Sequence, residues 1–171
     1  MPYAFHMAVD IELLPQIGGL ALRRFQLGDE KPFKELNEAW IRRDFELEPG
    51  DHEVLDDPRG EILAKGGQIC IADLDGIVVG CCALVAIRPD EFELAKMTVS
   101  EAASGHGIGR KLLAFAIDLA RVLGARRLYL ESNTKAAKAI HLYEDLGFRH
   151  MSTPEHESKY ARANVFMDMF L

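Results

Sequence analysis

Glu93-Leu94-Ala95-Lys96-Met97-Thr98-Val99, followed by Ser104-Gly105-His106-Gly107-Ile108-Gly109-Arg110-Lys111-Leu112-Leu113, passes from a two-residue apolar alternation through a glycine loop into a helical pattern. Counted by twos, Glu93, Ala95, Met97 and Val99 are expected to share one strand face. In the loop, glycines permit positive φ and let backbone N–H groups converge. Residues 110–123 repeat apolar side chains at helical spacing (Leu112, Leu113, Ala116, Leu119 and Leu123), and Gly124 is the expected stop. A further β-like run follows at 127–132. Strand, loop, helix and strand within about thirty residues make a βαβ unit, hence one parallel pair of strands.

Upstream the pattern is a meander. Residues 68–73, 77–87 and 91–99 are apolar and β-branched, and are separated by Asp75-Gly76, a hairpin signal, and by the turn Arg88-Pro89-Asp90. Residues 21–26 read as another short strand. Asp29 is placed to cap a helix running to about residue 47, with Pro32 tolerated in its first turn and Phe33, Leu36, Trp40 and Ile41 along one face. Residues 49–60 are turn-rich and acidic (Asp51, Glu53, Asp56, Asp57), which predicts a surface loop or a short second helix. Downstream, a helix over 135–146 ends at Gly147, and two strands close the chain near 148–152 and 164–171. The class is α+β, with a mixed, mostly antiparallel central sheet flanked by helices. Residues 1–20 are expected to be an N-terminal arm, and 21–171 a single domain.

The chain has 171 residues, 49% apolar and 27% charged, with a net charge of −7. These values fit a single globular domain. An acidic balance argues against a nucleic-acid partner. Residues 96–127 nevertheless carry +4, from six basic and two acidic side chains, leaving −11 elsewhere. One basic stretch in an acidic protein points to a local anion site. The longest apolar run, 77–87, is too short for a membrane helix, and no signal-peptide pattern opens the chain, so no membrane association and a cytoplasmic location are expected. Cys70, Cys81 and Cys82 are odd in number and lack CxxC spacing. They predict neither disulfide nor metal site, and are expected to pack as small hydrophobes, with Cys81 and Cys82 on opposite faces.

The loop 104–109 is the candidate anion site, because a helix N-terminus attracts negative charge. Arg110 and Lys111 in the first helical turn oppose the macrodipole by about 0.3–1 kcal/mol each, a cost that a bound polyanion would offset. The alternative is a tight turn with both cations in water. A Walker loop is excluded, because five residues after Gly105 stands Arg110 where the motif requires glycine. A dinucleotide loop is a near match, with Arg110 at its third glycine and Glu131 near the place of a ribose-binding acid. The preceding meander is wrong for that fold. An acyl-CoA loop is the third candidate.

The stretch 93–99 with 105–113 resembles motif A of the GCN5-related N-acetyltransferases (GNAT). Asn133, followed by Ala139-Ile140-His141-Leu142-Tyr143-Glu144-Asp145-Leu146-Gly147-Phe148, resembles that family's closing motif. The resemblance covers residues 21–170 and is sharpest over 93–148. It implies an acyl-CoA N-acyltransferase fold with acetyl-CoA as co-substrate and no metal. Ser104 departs from the Arg or Gln usual at that position, which bears on CoA affinity.

The resemblance also implies direct attack of an amine on a thioester. Such an amine arrives protonated and needs a base, the thioester oxygen needs a hydrogen-bond donor, and the leaving thiolate needs an acid. Glu93 is the candidate base, acting through water, the alternative being a solvated carboxylate. Tyr143 is the candidate acid, the alternative being a core aromatic beside Ala139 and Ile140. Met97, Thr98 and Val99 would hold pantetheine by their backbone. Ser104, Gly105, His106, Gly107, Ile108, Gly109, Arg110 and Lys111 would hold the pyrophosphate. Asn133 is a cofactor-side candidate or a turn former. Trp40 and Phe45, the acidic run 51–57 and residues 153–164 are the expected substrate walls. The expected activity is acetyl transfer to a small-molecule primary amine. The alternatives are a non-catalytic acyl-CoA-binding or sensing module and a peptide or protein N-acetyltransferase. The final strand, if at a sheet edge, would allow a homodimer.

Overall fold

The computed structural model describes residues 19–171. Seven strands, β1 (Leu20–Arg24), β2 (Gln68–Leu74), β3 (Ile77–Arg88), β4 (Glu91–Val99), β5 (Arg127–Ser132), β6 (Arg149–His150) and β7 (Val165–Phe170), form one sheet in the order β1-β2-β3-β4-β5-β7-β6. Every neighbouring pair is antiparallel except β4 and β5. Four α-helices flank the sheet: α1 (Glu30–Asp44), α2 (Pro49–Asp56), α3 (Ile108–Val122) and α4 (Ala137–Asp145). A π-helical turn covers Arg59–Leu63. The βαβ unit and the meander are therefore both present. At the β2–β3 hairpin, Asp75 and Gly76 take φ of 52° and 86°, the paired left-handed residues of a type I′ turn.

Each sheet face has its own core. Leu112, Leu113, Phe115, Ala116 and Leu119 of α3 cover Cys82, Leu84, Phe92, Leu94, Leu128 and Leu130. Phe33 and Ile41 of α1, with Leu55 and Ile62, cover Ile69, Ile71, Cys81 and Ala83. Cys81 and Cys82 thus point to opposite faces, as their adjacency requires. Burial pushes the Cys70 and Cys81 thiols up to about 12, so both stay protonated.

Several expectations need correction. Glu93, Ala95, Met97 and Val99 do not share a face. The β3–β4 register slips between the pairs Cys81↔Thr98 and Ala83↔Ala95, and Lys96 sits at φ 52° in the resulting bulge. An extra residue in a strand inverts the alternation beyond it. Glu93 consequently faces the α1 side, whereas Met97 and Val99 pack against the α3 core. Helix α1 ends at Asp44, with Phe45 already extended. Asp29 does precede α1 but caps nothing with its side chain, because Arg23 grips its carboxylate at 2.7 and 3.0 Å and the Gln26 amide donates to it.

The acidic stretch is helical as α2, with Pro49 in its first turn and Glu48 and Asp51 forming a reciprocal cap. Asp51 is not at the surface: it is fully buried. Strand β7 is not an edge, since β5 lies on one side and β6 and the Met151 amide on the other, which removes the premise for edge pairing through it. Of the expected arm, residues 1–18 lie outside the described residues, and Leu20 belongs to β1. No helix among the described residues is long and apolar enough to cross a membrane.

Leu112 and Ile41 are fully buried on opposite faces of one sheet. Leu112→Ala and Ile41→Ala are each expected to cost about 2–5 kcal/mol. In denaturant titrations, both variants should keep a single transition with an unchanged slope. A biphasic curve would show that the two cores unfold independently.

Candidate active site

Strands β4 and β5 pair only from Glu91↔Arg127 to Leu94↔Leu130. Beyond Leu94 the bulge at Lys96 turns β4 aside, and the strand ends separate. A cavity of about 100 Å³ occupies the gap. Leu94, Ala95, Lys96 and Met97 line it from β4, and Glu131, Ser132 and Asn133 from β5 and the residue after it. Ala139 and Tyr143 of α4 close it, as do Asn37 and Trp40 of α1. Tyr160 and Arg162, from the segment before β7, complete the wall.

Glu93 and Glu131 both line this cavity. Glu93 is the register partner of Tyr129, and Tyr129 and Glu131 share a face of β5. Glu131 accepts hydrogen bonds from the hydroxyls of Tyr129 and Ser158. Among the described residues, no side chain or amide donates to the Glu93 carboxylate. Burial, reinforced by the charge of Glu131, pushes the Glu93 pKa up to about 7, against the pull of His156, Lys159 and Lys96. It is a half-ionised carboxylate at neutral pH facing a cavity.

Tyr143 is buried in the α3 core, with its ring edge-on to Phe148 at 5.8 Å, so the core reading holds. It also lines the cavity, and its hydroxyl has no hydrogen-bond partner among the described residues. Burial raises its pKa further, which keeps the phenol a donor.

Beside the cavity, Gly107 forms the N-cap of α3 at φ 76° and Gly105 takes φ 82°. A Cβ on either would meet nothing within 4 Å. Backbone conformation, not crowding, calls for glycine here, and the loop's front stays open. The Lys111 amide closes on the Gly107 carbonyl at 3.2 Å, leaving the earlier first-turn amides as an anion cradle. Arg110 pairs with Asp145 at 2.5 Å on the exposed surface, so Asp145 meets part of the cost of a cation there. Ser104 and His106 are exposed, and Ile108 is buried beneath the loop. Gly109 packs near Val99 and Met97. Thr98 and Val99 line a second hollow with Trp40.

The Asn133 side chain is engaged within the protein, its Nδ2 donating to the Arg162 carbonyl at 2.6 Å and its Oδ1 accepting from the Lys135 amide at 2.8 Å. Trp40 reaches the cavity. Phe45 stands behind it, 5.9 Å between ring centroids, outside the cavity wall.

Asp51 from the expected wall 51–57, and Tyr160 and Arg162 from the expected wall 153–164, complete the site together with Lys96, Glu48 and Asn37, for which no role was expected. Lys96 Nζ lies 2.5 Å from Asp51 Oδ1, and Arg162 holds both Asp51 oxygens at 2.7 Å and Glu48 at 3.0 Å. The Lys96 ammonium and the Arg162 guanidinium both lie over the Tyr160 ring. Burial works to raise the Asp51 pKa, but hydrogen bonds from Arg162, Lys96 and the Glu48 amide overcome it and hold the group at about 2. Burial lowers the Lys96 pKa against the pull of Asp51. Asn37 donates to the Cys81 sulfur at 3.3 Å, and the Cys81 thiol in turn donates to the Lys96 carbonyl at 3.5 Å.

Comparison with known proteins is consistent with this geometry. Residues 33–148 match the acetyltransferase (GNAT) family. An uncharacterized N-acetyltransferase, YjgM, of Escherichia coli is 36% identical over 104 residues, which cover 61% of this chain and 54% of that protein. The chain therefore spans about half the length of that relative. An acetyltransferase of the GNAT family from Staphylococcus aureus superposes with a TM-score of 0.79 at 21% identity, covering 88% of this chain and 98% of the other. The acetyltransferase yncA from Salmonella typhimurium, solved with its cofactor acetyl-CoA, superposes with a TM-score of 0.69 at 22% identity over 89% and 94% of the two chains.

Removing the charge of Asp51 leaves two buried cations without their shared partner. Asp51→Asn is expected to destabilise by about 3–5 kcal/mol, measured by urea unfolding at pH 7. Combining it with Lys96→Met should recover part of that loss, because the two sites are in contact. Additive losses would mean that the pair is not coupled.

Proposed function

The chain belongs to the GNAT family of acetyltransferases, and we propose that it transfers an acetyl group from acetyl-CoA directly to a primary amine of a small molecule. The observation that carries this reading is the separation of β4 from β5 beyond Leu94, where a carboxylate and a phenol without hydrogen-bond partners among the described residues line the gap, together with a left-handed glycine loop at the start of α3. Glu93, Tyr143 and the loop each supply one requirement of the chemistry.

The amides of the glycine loop and of the first turn of α3 hold the pyrophosphate of CoA. The backbone of Met97, Thr98 and Val99, freed from pairing with β5, holds the pantetheine arm as an added strand would, and donates to the thioester oxygen as it gains charge. The acceptor's ammonium gives one proton to Glu93 through water. The amine nitrogen then forms its bond to the acyl carbon, the carbon–sulfur bond breaks, Tyr143 delivers a proton to the departing thiolate, and the second proton lost by the nitrogen restores the phenol through water. A base with a pKa near 7 is matched to neutral pH. Asn133 supports this arrangement by fixing the start of α4 and the cavity-lining segment around Arg162.

Thiol release from acetyl-CoA across a panel of amines tests the reading. For the preferred acceptor, kcat/KM is expected to fall about tenfold per pH unit below pH 7, and Glu93→Gln should flatten that limb and lower the plateau. Tyr143→Phe should lower kcat by about 10²–10⁴-fold while leaving the Kd for CoA within about twofold. Unchanged kcat in both variants, with CoA still bound, would favour the non-catalytic module.

Stability provides a separate readout. The folded pKa of Glu93 is raised, so its favourable contribution is complete at acid pH and is lost as pH rises from about 4.3 through about 7. Glu93→Gln is therefore expected to be more stable than the parent at pH 8 by about 1–3 kcal/mol, and nearly equal at pH 4. A loss of stability at pH 8 would show that the carboxylate has a partner.

A further inference from the structure

Resting on the transferase reading above, we propose that the acceptor is a compact zwitterion, carrying its primary amine and a carboxylate a few bonds apart as an α-amino acid does. The cavity has two poles. One is the pair Glu93 and Glu131, of which Glu93 has no protein donor among the described residues. The other is Lys96 and Arg162, which share one fully buried carboxylate, Asp51. The second acid near them, Glu48, pairs with Arg162 but not with Lys96, accepts from the Ala161 amide, and is itself 23% exposed.

The donors of this second pole are not exhausted. An ammonium offers three N–H groups and a guanidinium five. Lys96 spends one on Asp51. Arg162 uses its two terminal nitrogens on Asp51 and Glu48, and among the described residues its Nε–H has no acceptor. Two carboxylates, Asp51 and Glu48, balance the two cations in charge but leave N–H donors of both unmet at the cavity wall, and burial of a cation is favourable only when its hydrogen bonds are met. A ligand carboxylate meets them, while the same ligand's ammonium faces Glu93.

The enclosure narrows the class further. The cavity holds about 100 Å³ between the Trp40 and Tyr160 rings. The segment bearing Tyr160 and Arg162 is tied across it by Ala161 N–H to Glu48 at 2.8 Å and by Asn133 to the Arg162 carbonyl. A polyamine would press a second ammonium against Lys96 and Arg162, and an extended peptide would meet the tied segment that bears Tyr160 and Arg162.

In the step that follows, Glu93 takes one ammonium proton, the amine nitrogen bonds to the acyl carbon, and the carbon–sulfur bond breaks to give the protonated thiol and the N-acetyl acid. The acceptor's carboxylate is unchanged throughout.

The test is thiol release by the full chain with acetyl-CoA and matched acceptors: free amino acids of differing side chain, their amides, their decarboxylated amines, spermidine and a short peptide. Acetyl-CoA binding is followed in parallel by calorimetry. At least one free amino acid is expected to exceed its own amide and amine in kcat/KM by about 10- to 100-fold, the scale of a hydrogen-bonded charge contact. Lys96→Gln should collapse that acid-to-amide ratio toward unity, and Lys96→Arg should restore part of it. Amides, amines or spermidine equal to or better than every free acid would overturn the proposal and leave the transferase reading standing. No release with any acceptor, with acetyl-CoA still bound, would overturn both.

Discussion

The whole site depends on one residue in an unfavourable backbone conformation. A parallel pair of strands would ordinarily continue to zip, and β4 and β5 are long enough to do so past Leu94. They do not, because Lys96 sits in the left-handed region and bulges β4 away. That conformation costs an L-residue about 1–2 kcal/mol. The cost is met locally: the Lys96 ammonium is anchored by Asp51, its carbonyl by the Cys81 thiol, and Asp51 by Arg162. The gap between the strands, the free backbone edge at Met97–Val99 and the outlook of Glu93 all follow from this one kink.

The same desolvation raises the pKa of both candidate groups, and in the proposed reaction it serves a different end in each. For Glu93 it penalises the anion, bringing a weak base up to the pH at which an ammonium must be relieved of a proton. For Tyr143 it penalises the phenolate, holding the proton on a group that the proposed reaction uses as a donor. Neither effect needs a dedicated charged neighbour, although Glu131 reinforces the first. The two groups lie on either side of the sheet's opening, Glu93 toward α1 and Tyr143 in the α3 core, so a thioester drawn through the gap would have base and acid on opposite sides.

Legibility in the sequence follows the range of the interactions involved. The glycine loop, the βαβ unit, the hairpin at Asp75-Gly76 and the bounds of β5 depend on local backbone preference and periodicity, and these are written in consecutive residues. Glu93, Tyr143, Trp40 and residues 105–109 were marked by motif and spacing; the first three line one cavity, and the loop forms the N-terminus of α3. Phe45 was misplaced because helix α1 ends at Asp44, one turn early. Asp51 was taken for surface because acidic runs in turn-rich stretches are usually solvated; its partners stand 45 and 111 residues away. Lys96 lay inside the motif but its role did not, since no alternation rule announces a bulge. Arg162 and Tyr160 belong to a weakly patterned segment, expected as a substrate wall, whose position is fixed by distant partners including Glu48, Gly50, Asp51, Glu131 and Asn133.

Burying four charged groups at Asp51, Lys96, Arg162 and Glu93 is a poor way to stabilise a domain, because desolvation offsets most of the Coulombic gain. The structure tolerates it because the apolar cores on both faces of the sheet are complete without them: α3 and α1 fill their faces with Leu, Ile and Phe side chains that are essentially inaccessible to water. The charged cluster occupies the one region where sheet pairing has already been given up. There its orientation decides what the opening accepts. A hydrophobic replacement of the Asp51–Lys96–Arg162 set would preserve a fold but would leave the cavity with a single, acidic pole. On the zwitterion proposal, what these residues contribute is selectivity for charge at a defined end of the acceptor, obtained at the expense of stability that the rest of the sheet supplies.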